Sequence, residues 1–253
     1  RGWIIVAPEH RGNTVWNDSE EKVVLAFRRP VDIRDTVDWL FESLASPGGV
    51  LEGCVDPEAG YAISGHSFGG YTTLAVAGAA IDLDAGLEFC ATSGEWMCGD
   101  LERWAASGGA LGRHDLSDDR VWAALPMAHA GHEILFTGLP DIDIPVLILG
   151  GGQDPGTTIE GQAQPSFDAL SASEPRHLGE IERAGHFAFS DACTLLSGWV
   201  GDECTDDYIA PTEAHEMIRV WTSAFLQQAQ GREDACDYLP GEFDGVRWET
   251  EGI

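Results

Sequence analysis

The chain has 253 residues, 43% of them hydrophobic, and its 43 acidic side chains outnumber its 14 Lys and Arg to give a net charge of −29. That length suffices for one large core, since α/β folds of this size are commonly a single domain, and no apolar run approaches the roughly 20 residues a membrane helix needs. So negative a surface repels nucleic acid and anionic membranes, which argues against nucleic acid as a partner and against electrostatic docking on a membrane.

In chain order, Trp3 to Ala7 reads as a first β-strand. From Pro30 to Leu44, residues Val31, Val37, Leu40, Phe41 and Leu44 recur at helical spacing, with Pro30 at a helix start where its fixed φ is suited. A β-type run from Tyr61 to Ser64 leads into Gly65-His66-Ser67-Phe68-Gly69-Gly70, and a helix-type run from Tyr71 to Ile81 follows. Leu87 to Thr92 reads as another short strand. Glu95 to Ala128 is mixed, with Leu101 to Ala106 and Asp118 to Leu125 as short helices of a lid insertion over residues 95–128. Pro145 to Gly150 reads as a buried strand, Ser166 to Ala172 as a helix, Arg176 to Glu182 as a strand and Thr212 to Gln230 as a helix. This alternation predicts an α/β domain over residues 1–253, a mainly parallel sheet flanked by helices.

The most specific signal is the glycine-serine turn. A G-x-S-x-G segment between strand and helix lifts a serine Oγ above a sheet, and Gly65 and Gly69 flank Ser67 where a Cβ is expected to crowd the turn. Ser67 also falls at a helix N-terminus, where the Phe68 N–H can donate to an oxyanion. Two further polar residues follow predicted strands: Asp154, in Gly151-Gly152-Gln153-Asp154-Pro155, and His186, in Ala184-Gly185-His186-Phe187. A serine hydroxyl is a poor nucleophile until a base takes its proton. The order Ser67, Asp154, His186 therefore predicts a nucleophile, a carboxylate that orients the imidazole, and a general base. A plain Asp-Pro-Gly turn and a packed loop histidine are the bland alternatives.

These residues, with Ala7-Pro-Glu-His-Arg-Gly-Asn-Thr14 and Gly150-Gly-Gly-Gln-Asp154, resemble the dienelactone-hydrolase-like and platelet-activating-factor-acetylhydrolase-like branch of the α/β-hydrolases over most of the chain. The resemblance implies an α/β-hydrolase fold and cleavage of small-molecule or polymeric carboxylic esters without cofactor or metal. Lipid esters, polyesters or peptides are variant substrates on the same residues, and a catalytically silent protein of this fold is the alternative. The opening Arg1 to Pro8 resembles the family's fourth strand. On that reading the N-terminal strands are missing, and with them the H-G-x-G-type segment that supplies the second oxyanion donor. The chain is then a fragment, and its sheet would carry unpaired polar groups costing a few kcal/mol each if buried.

Pocket walls are assigned more loosely. Glu9, His10 and Arg11 either line the pocket or leave Arg11 to pair with surrounding acids, while Phe68, Trp96, Trp104 and Phe187 are candidate acyl-pocket walls. The six cysteines lack C-x-x-C spacing, and loop-closing pairs Cys90–Cys98 and Cys193–Cys204 are expected, leaving Cys54 with Cys236. That framework favours a secreted or periplasmic protein over a cytoplasmic one with free thiols. His129, His132 and Glu133 lack the H-E-x-x-H spacing of a zinc site. Asp202, Glu203, Asp206 and Asp207 lack the ligand spacing of an EF-hand and read as a solvated acidic loop.

Overall fold

The computed structural model describes residues 3–14, 16–94, 97–196, 200–240 and 243–252, with only the backbone of Gly201, Asp202, Glu233 and Cys236. Its centre is a five-stranded sheet made of β1 (Tyr61–His66), β2 (Val121–Met127), β3 (Val146–Gly151), β4 (Arg176–Ile181) and β5 (Val246–Glu251), in spatial order β1-β2-β3-β4-β5. The first four strands are parallel and β5 runs antiparallel to β4. Helices α1 (Lys22–Trp39), α2 (Phe68–Ala77), α3 (Leu83–Cys90), α4 (Cys98–Ala106), α5 (Gln164–Ala169) and α6 (Pro211–Ala229) flank it.

Side-chain alternation splits the core between two faces. Val146 and Ile148 of β3 pack with Leu25, Tyr71, Leu74 and Phe167, whereas Leu147 and Leu149 pack with Met217, Trp221 and Phe225 of α6. Successive strand residues point to opposite faces, so a strand covered on both sides reads as the continuous apolar run Val-Leu-Ile-Leu. The antiparallel β5 shows the other pattern, half-buried Val246, Trp248 and Thr250 alternating with exposed Arg247, Glu249 and Glu251. Trp248 stands opposite Gly179, where a Cβ would come within 2.7 Å of its ring.

Several elements depart from expectation. Residues Trp3 to Ala7 form no strand; Ile5 is 88% exposed, and Trp3 leans on Trp122 with ring centroids 6.0 Å apart. An apolar run becomes a strand only beside a neighbour that completes its hydrogen bonds, and among the described residues β1 pairs with β2 alone. Pro30 lies inside α1 rather than at its start, because the buried face begins earlier, at Val23, Leu25 and Ala26. The ring removes the N–H that would bond the Ala26 carbonyl, and the Tyr71 hydroxyl donates to that carbonyl instead, at 3.1 Å. The helical path then widens into a π-turn over Leu40–Leu44.

The segment Leu87 to Thr92 is not a strand. Asp82 caps α3 by accepting from the Ala85 N–H at 3.0 Å, and α3 runs through Leu87 to Cys90. Likewise Asp118 to Leu125 is not a helix, since Val121–Met127 is strand β2 in the sheet interior, with Ala123 and Leu125 on one face and Val121 and Ala124 on the other. Residues 121–127 of the expected lid segment are thus part of the sheet. Its first half does contain a helix, α4, where Leu101 to Ala106 was expected.

Disulfides join Cys90 to Cys98 and Cys193 to Cys204. The expected third pair does not form: Cys54 sits in an exposed turn with its thiol free, and the Cys236 side chain lies outside the described residues.

Candidate active site

In a parallel sheet, the loops leaving the carboxyl ends of the strands share one rim. Ser67 follows β1, Asp154 follows β3 and His186 follows β4, so all three reach that rim. Three interstrand spacings, about 14 Å, separate β1 from β4. The loop after β4 must therefore lean back across the sheet. It is tied down on the way, since the Gln153 N–H donates to the Ala184 carbonyl at 2.9 Å and Gly151 leaves room for that carbonyl, which a Cβ would meet at 2.4 Å.

Ser67 has φ 58° and ψ −122°, a conformation that L-residues avoid and that costs on the order of 1–3 kcal/mol. The surroundings hold it there: its N–H donates to the Met127 carbonyl at 2.9 Å, and its own carbonyl accepts from the Gly70 and Tyr71 N–H groups at 2.9 and 3.2 Å. Of the flanking glycines, Gly65 and Gly70 are sterically required. A Cβ on Gly65 would lie 2.3 Å from the Gly69 carbonyl oxygen, and one on Gly70 would lie 2.5 Å from His129 Cβ. The expectation for Gly69 is corrected, because its own Cβ would meet only Arg29 Nη2 at 3.7 Å; the crowding is against its backbone.

The three predicted side chains meet. His186 Nε2 lies 2.9 Å from Ser67 Oγ, and His186 Nδ1 lies 2.7 Å from Asp154 Oδ2. With Nδ1–H donated to the carboxylate, Nε2 keeps its lone pair for the Ser67 hydroxyl proton. Asp154, 4% exposed, has its other oxygen occupied: Oδ1 accepts from the Gly156 and Thr157 N–H groups, both at 2.8 Å, while the Thr157 hydroxyl lies 2.6 Å from Oδ2. Burial alone would raise its pKa. The hydrogen bonds and charge of His186, reinforced by Thr157, outweigh burial and hold it at about 2, so the group is a carboxylate across the neutral range. Such an arrangement can move a proton from a hydroxyl to an imidazole and stabilise the cation that results. Helix α2 begins at Phe68, which places that residue's N–H in the positive first turn beside Ser67.

Not every predicted wall residue joins this cluster. Phe187 does, its ring edge-on to His186 at 5.3 Å. His10 is buried and bonds Asp32 of α1 through Nδ1 at 2.8 Å, a contact that pins the entering loop to α1. Burial and the nearby Arg29 cation lower its pKa. Trp96 lies outside the described residues. Trp104 donates its indole N–H to the Ala110 carbonyl at 2.8 Å and covers Gly109, a contact internal to the segment around α4.

Three further residues support the site. The Thr157 hydroxyl lies between two acceptors, 2.6 Å from Asp154 Oδ2 and 2.9 Å from the Ala128 carbonyl oxygen. His66, the last residue of β1 just before the turn, lies with Nε2 2.8 Å from the His186 carbonyl oxygen and its ring 4.6 Å from the His186 ring. Burial, then the neighbouring His186, lower its pKa to about 4. A neutral ring facing a carbonyl must carry its proton on that nitrogen. Glu203, expected in a solvated acidic loop, accepts the His186 backbone N–H at 2.5 Å. The position of His66 inside the motif was the one available clue; a threonine in a turn and an acid in an acidic loop have no distinguishing signature.

Beneath the turn lies a further buried polar group, with the Ser166 hydroxyl 2.9 Å from both His129 Nε2 and His132 Nδ1. Burial lowers the pKa of these histidines to about 3 and about 4, with His132 also acting on His129. Among the described residues, no group of three or more His, Cys, Asp or Glu side chains converges as a metal site requires. No protein-family model matches the chain, and no curated protein matches it.

Proposed function

We propose that this chain is a serine hydrolase of the α/β-hydrolase class, similar to the dienelactone-hydrolase-like and platelet-activating-factor-acetylhydrolase-like branch, that cleaves carboxylic esters through an acyl-enzyme. The carrying observation is the contact of one imidazole with both Ser67 Oγ, at 2.9 Å, and the buried carboxylate of Asp154, at 2.7 Å. The positive φ of Ser67 at a strand-to-helix corner supports the same reading, because backbone strain of this kind is retained where the surroundings over-determine it. In the proposed cycle His186 takes the Ser67 proton as Oγ attacks the ester carbonyl. The Phe68 N–H stabilises the oxyanion, and the proton passes to the departing alcohol. Water, activated by the same imidazole, then releases the acid.

Two disulfides fit an exported protein, and no helix among the described residues is long and apolar enough to cross a membrane. Hydrolysis of p-nitrophenyl acetate and butyrate by the wild type and by Ser67→Ala tests the reading. Turnover in the wild type that is abolished in Ser67→Ala supports it, and equal turnover in the two refutes it. Stoichiometric labelling of Ser67 by a fluorophosphonate checks the nucleophile independently of ester choice.

A further inference from the structure

The imidazole of His186 is useful only if its ring stays within hydrogen-bond reach of both Ser67 and Asp154, and the ring is carried by a loop. That loop is gripped on both sides of residue 186. On the carbonyl side His66 Nε2 lies 2.8 Å from the His186 oxygen, which ties the loop to the nucleophile turn. On the amide side the grip is an acid: the His186 N–H donates to Glu203 Oε2 at 2.5 Å.

Glu203 reaches this position from a different stretch of chain. It sits in the short helical turn Gly201–Cys204, directly before Cys204, whose sulfur is bonded to Cys193. Cys193 lies in the helical turn Ala192–Leu195, just beyond the turn His186–Phe189 that carries the imidazole. The covalent link therefore closes a loop that brings Glu203 back to the His186 amide. Space is reserved for the carboxylate, since a Cβ on Gly185 would come within 2.6 Å of Glu203 Oε2 and 2.9 Å of the Tyr208 ring. The departing chain is held as well, with the Arg183 guanidinium donating to the carbonyls of Asp206 at 2.8 Å and Tyr208 at 3.0 Å.

We propose that Glu203, held in place by the Cys193–Cys204 disulfide, is a positioning residue that fixes the His186 ring for proton transfer by accepting its backbone N–H. A charged acceptor makes a shorter and stronger bond than a neutral one, and reaction rates respond steeply to displacement of the base: about 1 Å can cost on the order of 100-fold. The inference rests on the hydrolase reading, and the test separates the two.

The experiment measures kcat and KM for p-nitrophenyl butyrate, together with the thermal midpoint, in the wild type, Glu203→Ala, Glu203→Gln, Cys193→Ser/Cys204→Ser and Ser67→Ala. If the wild type does no better than Ser67→Ala, the hydrolase reading fails and takes this inference with it. Given an active wild type, Glu203→Ala is expected to lose roughly ten- to hundredfold in kcat with KM within about twofold. Glu203→Gln keeps an oxygen acceptor and should recover most of that loss. The double cysteine variant should fall between them, because Glu203 is present but untethered. Retention of wild-type kcat in Glu203→Ala overturns the proposal, as does Glu203→Gln being as impaired as Glu203→Ala. Should Glu203→Ala fail to fold, the double cysteine variant decides, and undiminished kcat there overturns the proposal.

Discussion

Replacing Asp154 by Asn tests the site with almost no change of shape, and the hydrogen bonds determine how the new amide must sit. Oδ1 accepts two backbone N–H groups, from Gly156 and Thr157 at 2.8 Å each, so the amide oxygen has to take that position. The NH2 group is then forced into the place of Oδ2, facing His186 Nδ1, which lies 2.7 Å away in the wild type. A donor there turns Nδ1 into the acceptor and moves the ring proton to Nε2, the nitrogen 2.9 Å from Ser67 Oγ. The base then has no lone pair for the serine proton, and the compensating carboxylate is gone. In serine proteases the same tautomer error costs about 10⁴ in kcat, equivalent to about 5.5 kcal/mol at about 1.4 kcal/mol per tenfold. Asp154→Asn is expected to lose 10³- to 10⁴-fold in kcat towards p-nitrophenyl acetate. Its thermal midpoint should stay within a few degrees, because both backbone donors keep their acceptor. Activity within tenfold of wild type in a folded Asp154→Asn protein refutes the tautomer argument.

The glycines of the turn should separate sharply by urea unfolding: Gly65→Ala drives a Cβ to 2.3 Å from backbone and should cost several kcal/mol or abolish folding, whereas Gly69→Ala should stay within about 1 kcal/mol of wild type. Tyr71→Phe leaves the buried Ala26 carbonyl, already deprived of a helical donor by Pro30, without the hydroxyl at 3.1 Å and should cost about 1–3 kcal/mol. Stability should also fall with acid in two stages, followed by unfolding at fixed pH. The folded-state pKa values of His66, His129 and His132 are depressed to about 4, 3 and 4 from an ordinary 6.5. The unfolded chain therefore binds protons first, and stability present above pH 6.5 is lost as pH falls towards 4. Asp154, depressed from 3.8 to about 2, adds a further loss below pH 4. A stability flat between pH 7 and 4 contradicts the burial of these rings.

The three side chains of the candidate site were legible because each follows a strand whose run is unmistakable: Pro145 to Gly150 and Arg176 to Glu182 were placed to within a residue or two of β3 and β4. Elements without a distinctive period were not. Leu87-Glu88-Phe89-Cys90 is short and apolar, which suits strand or helix equally, and the deciding cap, Asp82, lies outside the run. The alanine-rich Val121 to Met127 resembles a helix, yet β2 is covered on both faces and so shows no alternation. The alternating Val246 to Glu251 does carry a strand signal, in the period-2 exposure of β5. Supporting contacts such as Thr157 to Asp154, or Glu203 to the His186 amide, depend on how loops close in space.

The buried Asp154–His186 contact and the net charge of −29 answer differently to ionic strength. Exposed charges more than about 10 Å apart are largely screened at 0.1 M salt, while a 2.7 Å contact to a carboxylate with no exposed side-chain surface is screened much less. Added salt should thus relieve the mutual repulsion of the outer carboxylates and firm up the whole molecule, while leaving the proton-transfer step unchanged. A salt titration can therefore raise the melting temperature without altering the intrinsic rate.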